Sequence, residues 1–153
     1  MKKILFAIIL IASVSGIKAQ YAAIDARLSR LEAKRGINKN LKAVDLNQKR
    51  FVIQKEFEDH TERLFISLNG DKATYIEVFD DKKTGETTSN VFSGDFIRTP
   101  KNIISFRFDA LEGKKIPLAI TKSFLLTQHG EILYLLDVNT KERWIDEKMV
   151  IKK

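Results

Sequence analysis

From Phe51 to its end the chain is a succession of short runs rich in β-branched and aromatic residues, each closed by a turn signal. Phe51–Phe57, Arg63–Asn69, Ala73–Asp80, Thr88–Ser93, Phe96–Thr99, Ile103–Asp109, Leu118–Gln128 and Glu131–Val138 read as strands, and Arg143–Ile145 as a last short one. Side chains of this kind fit a pleated, half-buried surface. Asn69-Gly70 and His129-Gly130 have the chemistry of tight hairpins, and Lys83-Thr84-Gly85 that of a longer loop. Pro100 breaks the chain before Lys101-Asn102, and Glu112-Gly113 precedes a boundary at Pro117. About eight or nine strands at a spacing of roughly 12 residues predict an antiparallel meander, closed as a small barrel or folded as a sandwich.

Ahead of the strands the period changes. Ile24, Leu28 and Leu31 share one face of a helix expected over Tyr21–Arg35, which Gly36 stops. Its apolar stripe is narrow, which suits a helix lying on a sheet or closing a barrel end better than one docking to a membrane. Ile37–Arg50 is polar and reads as a connection. The fold class is therefore all-β: an antiparallel meander of about 8 strands preceded by one N-terminal amphipathic helix.

The first residues carry an address rather than a fold. Lys2 and Lys3 precede the apolar run Ile4–Val14, and Ser15, Gly16 and Ala19 supply a small-residue cleavage region ahead of Gln20. A bilayer-spanning helix needs about 20 apolar residues, more than this run offers. The expected division is a signal peptide at 1–19, a helix and connection at 20–50, and an antiparallel β-domain at 51–153. Losing Lys2, Lys3 and Lys18 removes three of 27 basic residues and none of the 20 acidic ones, lowering the formal charge from +7 to +4. The expected location is periplasmic or extracellular, with no membrane span after leader removal. An outer-membrane barrel is disfavoured, because Lys55, Glu56, Glu77 and Arg107 interrupt runs that are short for such strands.

Enzyme motifs are scarce. With no Cys there is no thiolate metal site and no Cys nucleophile, and no nucleophile elbow, phosphate loop or H-E-x-x-H pair occurs. His60, within Glu58-Asp59-His60-Thr61-Glu62, reads as part of a solvated hairpin turn rather than as an acid–base group or metal ligand, and His129 beside Gly130 reads likewise. Asp80-Asp81-Lys82-Lys83-Thr84-Gly85-Glu86 places two lysines where a calcium loop needs oxygen ligands, and reads as a charged hairpin loop. No cofactor and no metal are expected. Nucleic acid is not an expected partner, since basic residues are dispersed and largely balanced by acids.

The out-of-pattern residues lie on the strands. One face of Leu118–Gln128 carries Leu118, Ile120, Lys122, Phe124 and Leu126, and one face of the first strand carries Phe51, Ile53, Lys55 and Phe57. Ile104, Phe106 and Phe108 alternate with Ser105 and Arg107, which places Arg107 toward solvent or the less buried side. A lysine within an apolar stripe needs a counter-charge, a bulge that rotates it away, or room to snorkel. If the stripe faces a cavity, a ligand carboxylate supplies the counter-charge.

Phe92-Ser93-Gly94-Asp95-Phe96-Ile97-Arg98, followed by Asn102-Ile103-Ile104-Ser105-Phe106, resembles the short strand–turn–strand unit of lipocalin-like, calycin-type β-barrels of bacterial envelopes. The leader ending in Ala19-Gln20 is similar to those of secreted Bacteroidetes proteins. The likeness covers about residues 50 to 146. The Gly-x-Trp of lipocalins proper is missing near the first strand, and Trp144 lies near the other end. The resemblance implies a binding barrel. The expected function is a non-enzymatic binding module holding a small hydrophobic or anionic ligand against Lys55, Lys122, Phe106 and Phe124. The rival expectation is an envelope accessory or inhibitor-type protein-interaction domain with a filled core, whose partner is another envelope protein.

Overall fold

A computed structural model describes residues 14–35 and 41–151. Eight strands follow one another around a closed antiparallel barrel: β1 (Arg50–Glu56), β2 (His60–Asn69), β3 (Lys72–Asp81), β4 (Thr87–Arg98), β5 (Ile103–Leu111), β6 (Lys114–His129), β7 (Ile132–Asp137) and β8 (Arg143–Asp146). Pairing of Phe51 with Asp146 and Val52 with Ile145 closes the ring. Closure removes the free sheet edges that a sandwich would leave. The meander and the helix ahead of it are as expected, and the barrel is the form it takes.

Two local expectations fail for identifiable reasons. Thr88–Ser93 and Phe96–Thr99 are not separate strands; Gly94 sits at a register shift inside the continuous β4. A Cβ at Gly94 would lie 1.8 Å from the carbonyl oxygen of Arg107, so glycine here permits close strand approach rather than a turn. Pro117 is no boundary either, since it lies within β6. There Ala110 pairs Lys115 while Phe108 pairs Ile120, which loops the proline-bearing segment out of the β5–β6 ladder. Pairing of β6 with β7 is confined to Phe124–His129, so Pro117 interrupts no ladder on that side.

The strand alternation sorts side chains to two cores. Inside the barrel pack Phe51, Ile53, Ile66, Phe106, Phe108, Phe124, Leu126, Leu135 and Trp144. Their aromatic rings meet at centroid distances of 5.5–5.7 Å, as in Phe106–Phe124 and Phe124–Trp144. On the outside, Val52, Phe65, Tyr134 and Ile145 form a second cluster with Leu28 of helix α1 (Val14–Arg35) and Val150 of helix α2 (Glu147–Val150). Helix α1 begins at Val14 rather than Tyr21 and runs through the expected cleavage region. It lies against the barrel, where Tyr21 Oη donates to the Arg143 carbonyl at 2.8 Å and Arg143 pairs with Asp25 at 3.0 Å. Residues 1–13, with most of the expected leader, and the side chain of Leu31 lie outside the described residues. No helix among the described residues is long and apolar enough to cross a membrane.

The two barrel ends differ. Hairpins β2–β3 and β6–β7 occur where expected, but Asn69 and His129 end their strands and the turns run through Gly70-Asp71 and Gly130-Glu131, with Gly70 at φ 61° and Gly130 at φ 58°. Across this end the connection 41–49 forms a stopper, with Leu41 and Leu46 inserted into the inner core. Arg98 pins it by donating to the carbonyls of Val44 at 2.7 Å and of Leu41, and to Asn102 Oδ1 at 3.1 Å. The other end stays open.

Candidate functional site

Pairing register fixes what faces inward at the open end. Lys55 of β1 stands opposite Glu62 of β2, Glu62 opposite Phe79 of β3, and Glu77 of β3 opposite Asn90 of β4. From the far wall, Lys122 of β6 stands opposite Phe106 of β5. Above the apolar packing these side chains surround a cavity of about 430 Å³, lined by Lys55, Glu62, Tyr75, Glu77, Asn90 and Lys122 among others. That size falls within the usual range for small-molecule sites, while the lining is more polar than most.

The charges are arranged unevenly. Lys55 Nζ is paired with Glu142 Oε1 at 2.7 Å. Glu77 accepts from Tyr75 Oη at 2.8 Å and from Asn90 Nδ2 at 3.4 Å. Lys122 Nζ lies 4.9 Å from the centre of the Tyr75 ring and makes no ion pair among the described residues. A ring face attracts an ammonium but does not neutralise it. Burial, the hydrogen bond to Glu77, and the charges of Glu77, Glu62 and Glu142 raise the Tyr75 hydroxyl well above its ordinary pKa. Tyr75 is therefore a hydrogen-bond donor here and no general base at any ordinary pH.

An aromatic stack borders this wall. His60 is sandwiched between Phe57 and Phe79 at centroid distances of 4.3 and 4.4 Å, with interplanar angles of 13° and 19°. Its Nδ1 lies 2.6 Å from Asp59 Oδ1, a contact that holds the Asp59 carboxyl below its usual range. Its Nε2 lies 3.6 Å from Glu62. His60 is thus not in a solvated turn but at the first, inward-facing position of β2, where stacking partners set its orientation. His129 is likewise no turn residue. It ends β6, buried and stacked at 6.1 Å on Tyr134. The Asp81 carboxylate of the β3–β4 loop accepts from the backbone N–H groups of Lys83 at 2.7 Å and Thr84 at 2.9 Å, which holds its pKa down. It organises a charged hairpin loop. No group of three or more metal-ligating side chains occurs among the described residues.

Of the four residues expected to touch a ligand, the structure brings two together. Lys55 and Lys122 line the cavity. Phe106 and Phe124 do not; they are 2% and 0% exposed and belong to the packed interior beneath it. The apolar inner faces are occupied by one another, so the open volume lies above them, among polar groups. Leu118, placed on the inner stripe by simple alternation, is 83% exposed, because the looped-out segment of β6 breaks that alternation. Glu62 and Glu77 were not expected at the ligand site, although Glu62-Arg63-Leu64 and Tyr75-Ile76-Glu77 carry the same signal as Lys55: a charge in phase with an apolar stripe. No family model, curated protein or solved structure matches the chain.

Proposed function

We propose that this protein is an exported, non-enzymatic binding module that holds one small polar ligand in the mouth of its barrel. The observation that carries the reading is the division of the barrel interior. Aromatic and aliphatic side chains fill it from the stopper upward, and the remaining volume of about 430 Å³ is bordered by charged and hydrogen-bonding groups. A long acyl chain finds no apolar slot there. A compact ligand with an anionic group finds Lys122, whose ammonium has only a ring face for company among the described residues. Export is inferred from Lys2, Lys3 and the apolar run that follows them. The scheme is that of the lipocalin-like barrels the sequence resembles, with the ligand held near the mouth instead of deep inside.

Trp144, the only tryptophan, reports on this volume, because its ring lies 6.1 Å from that of Tyr75 on the cavity wall. In a fluorescence titration of the full chain, small polar acids are expected to saturate the signal at one site per molecule. Long-chain fatty acids are expected to leave it unchanged. Saturation by fatty acids alone, or by neither class, overturns the reading. The rival, a protein-interaction domain, has the exposed Leu118 in its favour, but single exposed apolar residues are ordinary on any surface.

A further inference from the structure

The strand order places the cavity's two least-compensated charges on opposite walls. In a ring of eight strands β2 and β6 are diametrically opposed, so Glu62 and Lys122 face each other across the opening. Both line the same cavity, yet they form no ion pair with one another. The other charged groups have nearer company: Lys55 has Glu142 at 2.7 Å, and Glu77 has the Tyr75 hydroxyl and Asn90. Glu62 has only the His60 Nε2 contact at 3.6 Å, longer than a hydrogen bond, among the described residues.

We propose that the ligand is a small zwitterion, of the size of a free amino acid or a dipeptide, whose carboxylate meets Lys122 and whose ammonium meets Glu62. This rests on the reading of the mouth as a ligand site and names the ligand's chemistry. A simple anion is a poor fit, because Glu62, Glu77 and Glu142 all lie near enough to Tyr75 to act on its hydroxyl, and they repel a second negative charge entering the same space. A simple cation satisfies Glu62 and leaves Lys122 facing it. A molecule with both charges offsets both partly desolvated groups at once, and a mismatch at either end leaves one of them uncompensated. Fixed charges on facing walls also set one orientation, since the reversed molecule puts like charges together. The size agrees: walls contributed by Leu64 and Phe79 leave an aliphatic spacer apolar contact between the charged ends.

The test compares molecules matched in length and differing only in charge. The full chain is titrated with 5-aminovalerate, valerate and pentylamine, and with alanyl-alanine, its N-acetyl derivative and its amide, following Trp144 fluorescence and heat of binding. The zwitterion of each series is expected to bind about ten-fold more tightly or better than either single-charge relative, the gain of one charge-assisted hydrogen bond. Lys122→Met and Glu62→Gln should each lower zwitterion affinity about ten-fold. Lys122→Met should in addition bring the zwitterion down to the affinity of the amine, and Glu62→Gln down to that of the acid. Thermal melts of both variants establish that the barrel is intact, and should either fail to fold, the charge-matched series on the unaltered chain decides alone. If the single-charge acids bind as tightly as the zwitterions, the zwitterion proposal is overturned and the binding reading stands. If nothing in either series saturates, both are overturned.

Discussion

The two ends of this barrel are built from the same eight strands and do opposite things with them. At the stoppered end the hairpins β2–β3 and β6–β7 are two-residue turns, the inward residues are apolar, and Leu41 and Leu46 complete the packing. At the mouth the inward positions of the same strands carry Lys55, Glu62, Glu77 and Asn90. One end is a hydrophobic core that happens to be ring-shaped. The other is a set of charges that the core holds in place. The lesson is a division of labour along each strand: burial stabilises the half nearer the stopper, and that rigidity lets the mouth half keep charged groups apart that would otherwise collapse onto one another.

The comparison is tested most severely in the interior. Phe124 is fully buried and touches both Phe106 and Trp144, with edge-to-face contacts at centroid distances of 5.6 and 5.5 Å. Phe124→Ala removes that packing and leaves a cavity, so urea denaturation should show a loss of about 3–5 kcal/mol. A loss below about 1 kcal/mol would mean that the interior is loosely filled, and the contrast between the two ends would fail. The stopper comes next. Arg98→Met keeps the length of the side chain but removes the donors that serve the Leu41 and Val44 carbonyls and Asn102. A loss of about 2–3 kcal/mol is expected, the scale for hydrogen bonds to a charged group. Amide exchange should quicken over residues 41–49 more than around the mouth loops.

How much of this was legible in the sequence follows the same division. The inner stripes of β1, of β5 up to Phe108 and of the second half of β6 could be read directly, because apolar alternation is a local signal and no irregularity disturbs it there. Lys55 and Lys122 stood out as charges within such stripes, and both line the cavity. What could not be read depends on pairing between distant segments. Gly94 has the look of a turn until Arg107 is placed against it, and Pro117 looks like a boundary until β6 is known to have no ladder partner there. The stopper was read as a polar connection because its apolar residues, Leu41, Val44 and Leu46, are few and have no period. They are buried by the barrel interior and their backbone is held by Arg98, more than fifty positions away. The acidic side of the mouth was missed for a related reason. Glu62 and Glu77 are in phase with apolar neighbours, but that they share one cavity with Lys55 and Tyr75 follows only from the register.

The smallest expected effect singles out the mouth by its response to alkali. Tyr75 holds its proton more tightly in the folded protein than an ordinary tyrosine, through burial first and then through Glu77 and its acidic neighbours. A raised folded-state pKa means that below about pH 10 both states are protonated and the group's contribution is fully present. Above that, the unfolded chain releases its proton while the folded one keeps it, and stability falls by about 1.4 kcal/mol for each further pH unit. Tyr21, raised mainly by burial between α1 and the barrel and secondarily by Asp25, adds a slope of the same sign. The informative quantity is therefore a difference. Between pH 10 and 11 the unfolding free energy of Tyr75→Phe should fall less steeply than that of the unaltered chain, and Tyr21→Phe should show a similar relief. Both tyrosines stay protonated in the folded protein across this interval, so each variant reports the full slope of its own group. A Tyr75→Phe variant whose stability falls as steeply as that of the unaltered chain would mean that burial and Glu77 do not hold the Tyr75 proton, and the mouth would lose the hydrogen-bond donor that serves its acidic wall.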